Sequence, residues 1–127
     1  QTGDSLQVEA VQPLAAPEDI LEMQQIAAHL RVDDEVVAYA VRIARATRTW
    51  PGISLGSGPR ASIALIRSAR ASALLEGRDF VTPDDVKALA LPVLRHRIMP
   101  SPESQIEGHD PDALLTAMLE RVEAPRA

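Results

Sequence analysis

The segment from Leu55 to Ser62 (Leu-Gly-Ser-Gly-Pro-Arg-Ala-Ser) holds the residues whose types and spacing best fit a chemical role. Gly58 and Pro59 predict a sharp entry into a helix, because proline is tolerated at the first helical position. Arg60 then falls in the first turn, where a cation opposes the helix dipole at a cost of roughly 0.3–1 kcal/mol. A bound anion would be attracted by the dipole, the free N–H groups and the guanidinium together. The segment predicts a phosphate site made by Gly58, Pro59 and Arg60; an exposed arginine that tolerates this cost is the alternative.

Other arrangements typical of catalysis are missing from the sequence. His29, His96 and His109 lie far apart and have no partner at ligand spacing, so no metal site is expected. The acidic run 33–35 follows Leu30-Arg31-Val32 and superficially resembles the end of a Walker B strand, but Arg31 would break the apolar strand and the acids suit a helix cap better. No Gly-x-x-x-x-Gly-Lys-Ser/Thr motif is present, so there is no Walker A loop. We therefore expect this chain by itself to be inactive toward nucleotides.

The composition favours a small all-α domain. The chain has 127 residues, 46% of them hydrophobic, with twenty alanines and only three aromatic residues. Alanine is the best helix former, so closely packed helices are expected rather than a sandwich or barrel. The absence of cysteine and of any apolar run of about 20 residues excludes a disulfide framework and a membrane span, and a cytoplasmic location is expected. The chain begins with Gln1 and not Met, which indicates a piece of a longer protein.

Charge is distributed unevenly along the chain. The net charge of −5 argues against a nucleic-acid binder. Residues 1–35 carry eight acidic residues and one basic residue, whereas residues 36–75 carry six arginines and no acidic residue. Such a stretch is either a solvated helix face or a surface for an anionic partner, which could be a phosphate or an acidic protein face.

Helical periodicity and capping signals divide the chain into a linker (1–16), a helical bundle (17–98) and a C-terminal extension with a final helix (99–127). About five helices are expected: four begin near 17, 33, 59 and 82, and the last is an amphipathic helix over about 114–122. A loop is expected over 50–58 and a break at 100–102. The first helix should bury an apolar stripe that includes Ile20 and Met23, and the third should be central and end at Gly77. The aspartates at 33–34 should cap the second helix, and Pro92 should bend or interrupt the fourth.

Three linked motifs resemble one family. These are Ala46-Thr47-Arg48 with the 55–61 segment, the run Ala73-Leu-Leu-Glu-Gly-Arg-Asp-Phe-Val-Thr-Pro-Asp-Asp-Val86, and Pro92-Val-Leu-Arg-His-Arg-Ile98. Their order and spacing resemble the C-terminal lid domain of MoxR-family AAA+ ATPases, from about residue 8 to the end. Gly58 stands where many members have serine, which removes a hydroxyl cap but leaves the arginine.

The resemblance implies a helical lid beside a nucleotide-binding core that lies upstream of this chain. Arg60 matches the sensor-2 arginine, which reaches ATP phosphates from the lid, while ATP and Mg²⁺ are bound mainly by the core. The family forms ring oligomers, usually hexamers, and acts as chaperone-like remodellers, often beside proteins with von Willebrand A domains. Arg48 and Trp50 are candidates for contacts with the core or a neighbouring subunit; Arg48 could instead face water, and Trp50 could fill the core. The alternative is a free-standing helical adaptor that binds an acidic partner through its arginine face.

Overall fold

The computed structural model describes residues 7–126, which form a bundle of short helices with a two-stranded antiparallel sheet. Within this range the α-helices are α1 (Pro17–Ala28), α2 (Asp34–Thr49), α3 (Arg60–Leu75), α4 (Pro83–Leu94), α5 (Pro102–Ile106) and α6 (Pro111–Arg121). The strands are β1 (Ile53–Leu55) and β2 (Met99–Pro100), and a single 3₁₀ turn covers Val8–Ala10. The predicted all-α class is confirmed, and α3 packs against α1, α2 and α4.

Small side chains place α3 at the centre. Ala61, Leu65, Ala69 and Ala73 repeat every four residues on one face, and each is at most 1% exposed. Three alanines in this row let the neighbouring helices approach closely. The largest fully buried residues around them come from α2, α4 and α6 and include Tyr39, Ile43, Leu94, Leu115 and Met118. The last helix therefore shares one core with the others, while the division of the chain at residue 98 remains a prediction.

The ends of α3 and α4 follow the predicted capping chemistry. Gly77 has a φ of +77°, and its N–H donates to the Leu74 carbonyl at 2.9 Å as the chain leaves α3. At the start of α4, the Asp85 N–H donates to Thr82 Oγ1 at 3.2 Å, and the Thr82 N–H donates to Asp85 Oδ2 at 2.8 Å. This reciprocal capping box satisfies two helix-end donors.

The segment expected to be a loop is partly a strand. β1 pairs with β2, with Ile53 opposite Pro100. The adjoining break expected at 100–102 instead leads into α5, and the Ser104 hydroxyl of α5 donates to the Gly52 carbonyl at 2.9 Å. These contacts join residues about fifty positions apart, which local periodicity does not encode.

Three local expectations need correction. Asp33 occupies the N-cap position of α2, but its side chain makes no capping hydrogen bond and instead lies 3.3 Å from Arg31 Nε. Pro92 does not interrupt α4, which continues to Leu94, because the proline falls in the last turn. The apolar stripe of α1 is not buried, since Ile20 is 46% and Met23 42% exposed.

In the part of the chain that the structure describes, no helix combines the length and apolar character needed to cross a membrane.

Candidate functional site

Arg60 is the first residue of α3, and its side chain is exposed. The preceding Pro59 has helical angles (φ −60°, ψ −27°), and the Gly58 carbonyl accepts from the Ala61 N–H at 3.1 Å. Among residues 7–126, no carboxylate lies within ion-pair distance of the Arg60 guanidinium. A cation therefore lies at the positive end of the central helix, and no carboxylate of residues 7–126 pairs with it.

Arg60 opens onto a surface groove between α3 and the end of α4. The lining comprises Arg60, Ile63, Ala64, Arg67, Ser68 and Arg97. Three of these six described lining residues are arginines, and none of the six is acidic. The groove is therefore electropositive and fits an anionic ligand.

A buried hydroxyl pair fixes the chain just before the site. Thr47, at the end of α2, is 0% exposed and Ser57 is 1% exposed. The Ser57 N–H donates to Thr47 Oγ1 at 2.9 Å, and the two hydroxyl oxygens lie 3.0 Å apart. Thr47 Oγ1 also donates to the Ala44 carbonyl at 2.6 Å. These bonds hold the segment that leads to Arg60 against α2, because buried hydrogen-bonding groups are costly to separate.

Gly56 makes this attachment sterically feasible. A Cβ atom at position 56 would lie 2.7 Å from the backbone of Thr47 and Arg48. Arg48 Nε adds a further bond by donating to the Ser57 carbonyl at 2.9 Å. Gly56 is therefore required for the close approach between the two backbone segments.

Exchanging Gly56 for alanine should destabilise the domain by about 1–3 kcal/mol, because the new methyl group must push two backbone segments apart. Gly58→Ala is the matched control, since a Cβ there meets no atom within 4 Å and its φ is not positive. Urea denaturation of both variants measures the difference. Equal stabilities would contradict the close-approach role of Gly56.

The other candidate residues lie around the same loop. Arg48 is tied to the Ser57 carbonyl, so one of its N–H groups serves the loop itself. Trp50 is the C-cap of α2 and is partly buried against the core. Gly58 and Pro59 are exposed beside Arg60, and proline brings no N–H donor to the helix start. Contacts of these residues with ATP, a core or a neighbouring subunit remain predictions.

An ion pair with two hydrogen bonds lies beyond the other end of α3. Arg78 donates to both oxygens of Asp85 at 2.6 and 2.7 Å, and to Glu76 Oε2 at 2.6 Å. The hydrogen bonds from Arg78, aided by those from Thr82, hold the pKa of Asp85 below its ordinary value despite burial. The length of α3, about 24 Å, separates this pair from the start of the helix, so it does not neutralise Arg60.

The sequence profile of the AAA lid domain family matches residues 45–118, from the end of α2 into α6. The chain belongs to the AAA lid domain family. The match contains the whole segment that leads to Arg60, together with α3 and α4. Recognition of this family from the sequence is therefore confirmed.

Relatives of this AAA lid domain include MoxR proteins. The chain is 40% identical over 118 residues to the uncharacterized protein YeaC of Bacillus subtilis, covering 93% of this chain and 37% of that protein. It is 34% identical over 119 residues to the chaperone MoxR1 of Mycobacterium tuberculosis, covering 85% of this chain and 31% of that protein. A crystal structure from Cytophaga hutchinsonii, of a protein described provisionally as an ATPase, superposes with a TM-score of 0.80 at 28% identity, covering 86% of this chain and 36% of that one. The lid domain thus spans about a third of the length of these relatives.

Two features of the site were not assigned a role from the sequence. Thr47 and Ser57 lie within the motifs quoted for the resemblance, but only the fold shows that they bond to each other. Arg97 belongs to the third motif, and only the packing of α4 against α3 brings it to the groove of Arg60. For the first feature, the only sequence signal was Gly56 followed by Ser57, a small residue beside a hydroxyl residue.

Proposed function

We propose that this chain is the lid of a larger ATP-hydrolysing AAA+ protein, and that Arg60 is its sensor-2 arginine. The proposal depends mainly on one observation: Arg60, the first residue of α3, has no ion-pair partner within residues 7–126 and lines a groove whose described lining residues include no acid. The attachment of the 56–57 segment to α2 supports it, because a fixed loop holds the arginine ready for a ligand.

The residues present fit the phosphate chain of a nucleotide. The groove offers guanidinium donors, which suit phosphate oxygens, and no carboxylate of the kind that binds Mg²⁺. In the proposed arrangement the core binds ATP and Mg²⁺ and supplies the water-positioning acid. Arg60 stabilises negative charge on the transferred phosphoryl group, which is an electrostatic contribution.

The proposal also covers what the full-length protein does with the free energy of ATP hydrolysis. Because one relative bears the name chaperone MoxR1, we propose chaperone-like remodelling of partner complexes by a ring of subunits. Lid movement would couple the state of the nucleotide to that work, since Arg60 binds the phosphates only when the lid is closed on the core. A von Willebrand A domain protein and a cytoplasmic location are part of the same proposal.

The experiment compares ATP hydrolysis by the full-length protein with that by the 127-residue chain alone. We expect steady turnover from the full-length protein and none from the chain, which also should show no tight ATP binding by calorimetry. Tight ATP binding to the isolated chain would contradict this division of labour. A full-length protein without ATPase activity that binds an acidic protein would favour the adaptor function instead.

A further inference from the structure

We propose that Arg67 and Arg97 join Arg60 in one polyphosphate-binding groove, so that the lid contacts the nucleotide's phosphate chain through three arginines rather than one. This inference rests on the proposed function, because it takes the ligand of Arg60 to be a phosphate chain. It assigns two further binding residues, one from the middle of α3 and one from beyond the end of α4.

Helix geometry places Arg60 and Arg67 on one face of α3. Seven residues correspond to nearly two turns, or about 11 Å along the axis. Ile63 and Ala64 lie between them in sequence and also line the groove, and Arg97 lines it from the neighbouring segment. A linear anion lying along the groove would therefore meet guanidinium groups at successive points.

Arg97 is held by its own backbone. Its Nε donates to the Val93 carbonyl at 3.1 Å, and its N–H donates to the Leu94 carbonyl at 2.8 Å. A cation at the C-terminus of a helix is favourable, which accounts for the position of Arg97 after α4. The bond to Val93 uses only one of the five N–H donors of its side chain. Among the described residues, the other four donors have no protein partner within hydrogen-bond distance. Fixing the Nε in this way orients the planar guanidinium before a ligand arrives.

The charges of the groove favour a partner of opposite sign. Three cations around one groove repel one another, and no carboxylate in the lining offsets them. By contrast, Arg78 at the other end of α3 is matched by Asp85 and Glu76. A polyphosphate carries several negative charges in a row and accepts paired hydrogen bonds from each guanidinium, so it compensates the groove as a whole.

The experiment follows tripolyphosphate binding to the ¹⁵N-labelled 127-residue chain by NMR, observing the arginine Nε–H signals. We expect the signals of Arg60, Arg67 and Arg97 to shift together with a dissociation constant of about 1 mM, as suits a few exposed ion pairs. Arg67→Ala and Arg97→Gln should each weaken binding by about fivefold. Arg45→Ala is the control, because Arg45 is exposed on α2 outside the groove and should leave binding unchanged.

Arg97→Gln removes both a guanidinium and the bond from Arg97 Nε to the Val93 carbonyl, so it changes a contact within the domain. Arg67→Ala is the variant that tests binding alone, because the Arg67 side chain makes no hydrogen bond within residues 7–126. Tripolyphosphate that shifts only Arg60, or binds both variants as tightly as the unmodified chain, would overturn the inference. So would a polyglutamate peptide that shifts the same signals at lower concentration, because the groove would then bind an acidic protein surface. A different measurement tests the proposed function, which is wrong if ATP turnover by the full-length protein does not depend on Arg60.

Discussion

Arg60→Ala should lower the ATP turnover of the full-length protein by about two to three orders of magnitude. The guanidinium is proposed to stabilise charge that grows on the phosphoryl group as it is transferred. In a closed site that excludes water, losing one such donor removes several kcal/mol of stabilisation, about 3–4 kcal/mol. Steady-state phosphate release at saturating ATP measures this loss, and equilibrium binding of a labelled nucleotide shows how much of it arises from weaker binding.

The fold should survive this substitution, because Arg60 is exposed and makes no ion pair among the described residues. Removing a cation from the first turn should even favour the helix slightly. Arg60→Lys should also be impaired, since an ammonium keeps the charge but lacks the two-pronged geometry of a guanidinium. Arg45→Ala is the matched surface control. Full turnover in Arg60→Ala would remove the sensor-2 assignment.

Asp85→Ala should destabilise the domain by about 2–4 kcal/mol. Asp85 is 7% exposed and accepts two bonds from Arg78 and one from the Thr82 N–H. The substitution leaves the guanidinium without its buried partner and also breaks the capping box of α4. Urea denaturation at neutral pH measures the effect. Asp84→Ala is the control, since Asp84 lies in the same helical turn but is exposed.

The ion pair between Asp85 and Arg78 makes the free energy of unfolding depend on pH. The hydrogen bonds from Arg78 and Thr82 lower the pKa of Asp85 from its ordinary value of 3.8. A carboxyl whose pKa is lower in the folded state adds stability at pH values above its unfolded pKa. That stability is lost as the pH falls below about 4 and through the depressed folded value.

The difference in unfolding free energy between the unmodified chain and Asp85→Ala should therefore shrink between pH 5 and the acid limit of folding. Denaturation curves recorded across this range test the sign. A difference that stays constant down to the lowest pH at which both proteins fold would show that the carboxylate charge is not what stabilises the pair.

Much of the fold follows from local sequence. Thr82 followed by proline and two acids specifies the start of α4, and Gly77 specifies the end of α3, because capping and backbone preferences act over a few residues. Apolar side chains around most of the circumference of α3 likewise predict that this helix is central. The family follows from three motifs whose order and spacing survive in the linear sequence.

Contacts between distant segments were decided by the tertiary structure. The pairing of β1 with β2, the helix at Pro102–Ile106 and the Thr47–Ser57 attachment all depend on which segments meet once the helices pack. The exposed apolar face of α1 was also not predictable, since periodicity identifies an apolar face but does not show whether another segment covers it. The sequence alone determined that Arg60 lies at the start of a helix, where a cation is unfavourable, because the start of a helix is specified by a few neighbouring residues. Only the packing of α4 against α3 decided that Arg97 faces the same groove, because long-range proximity depends on the whole core.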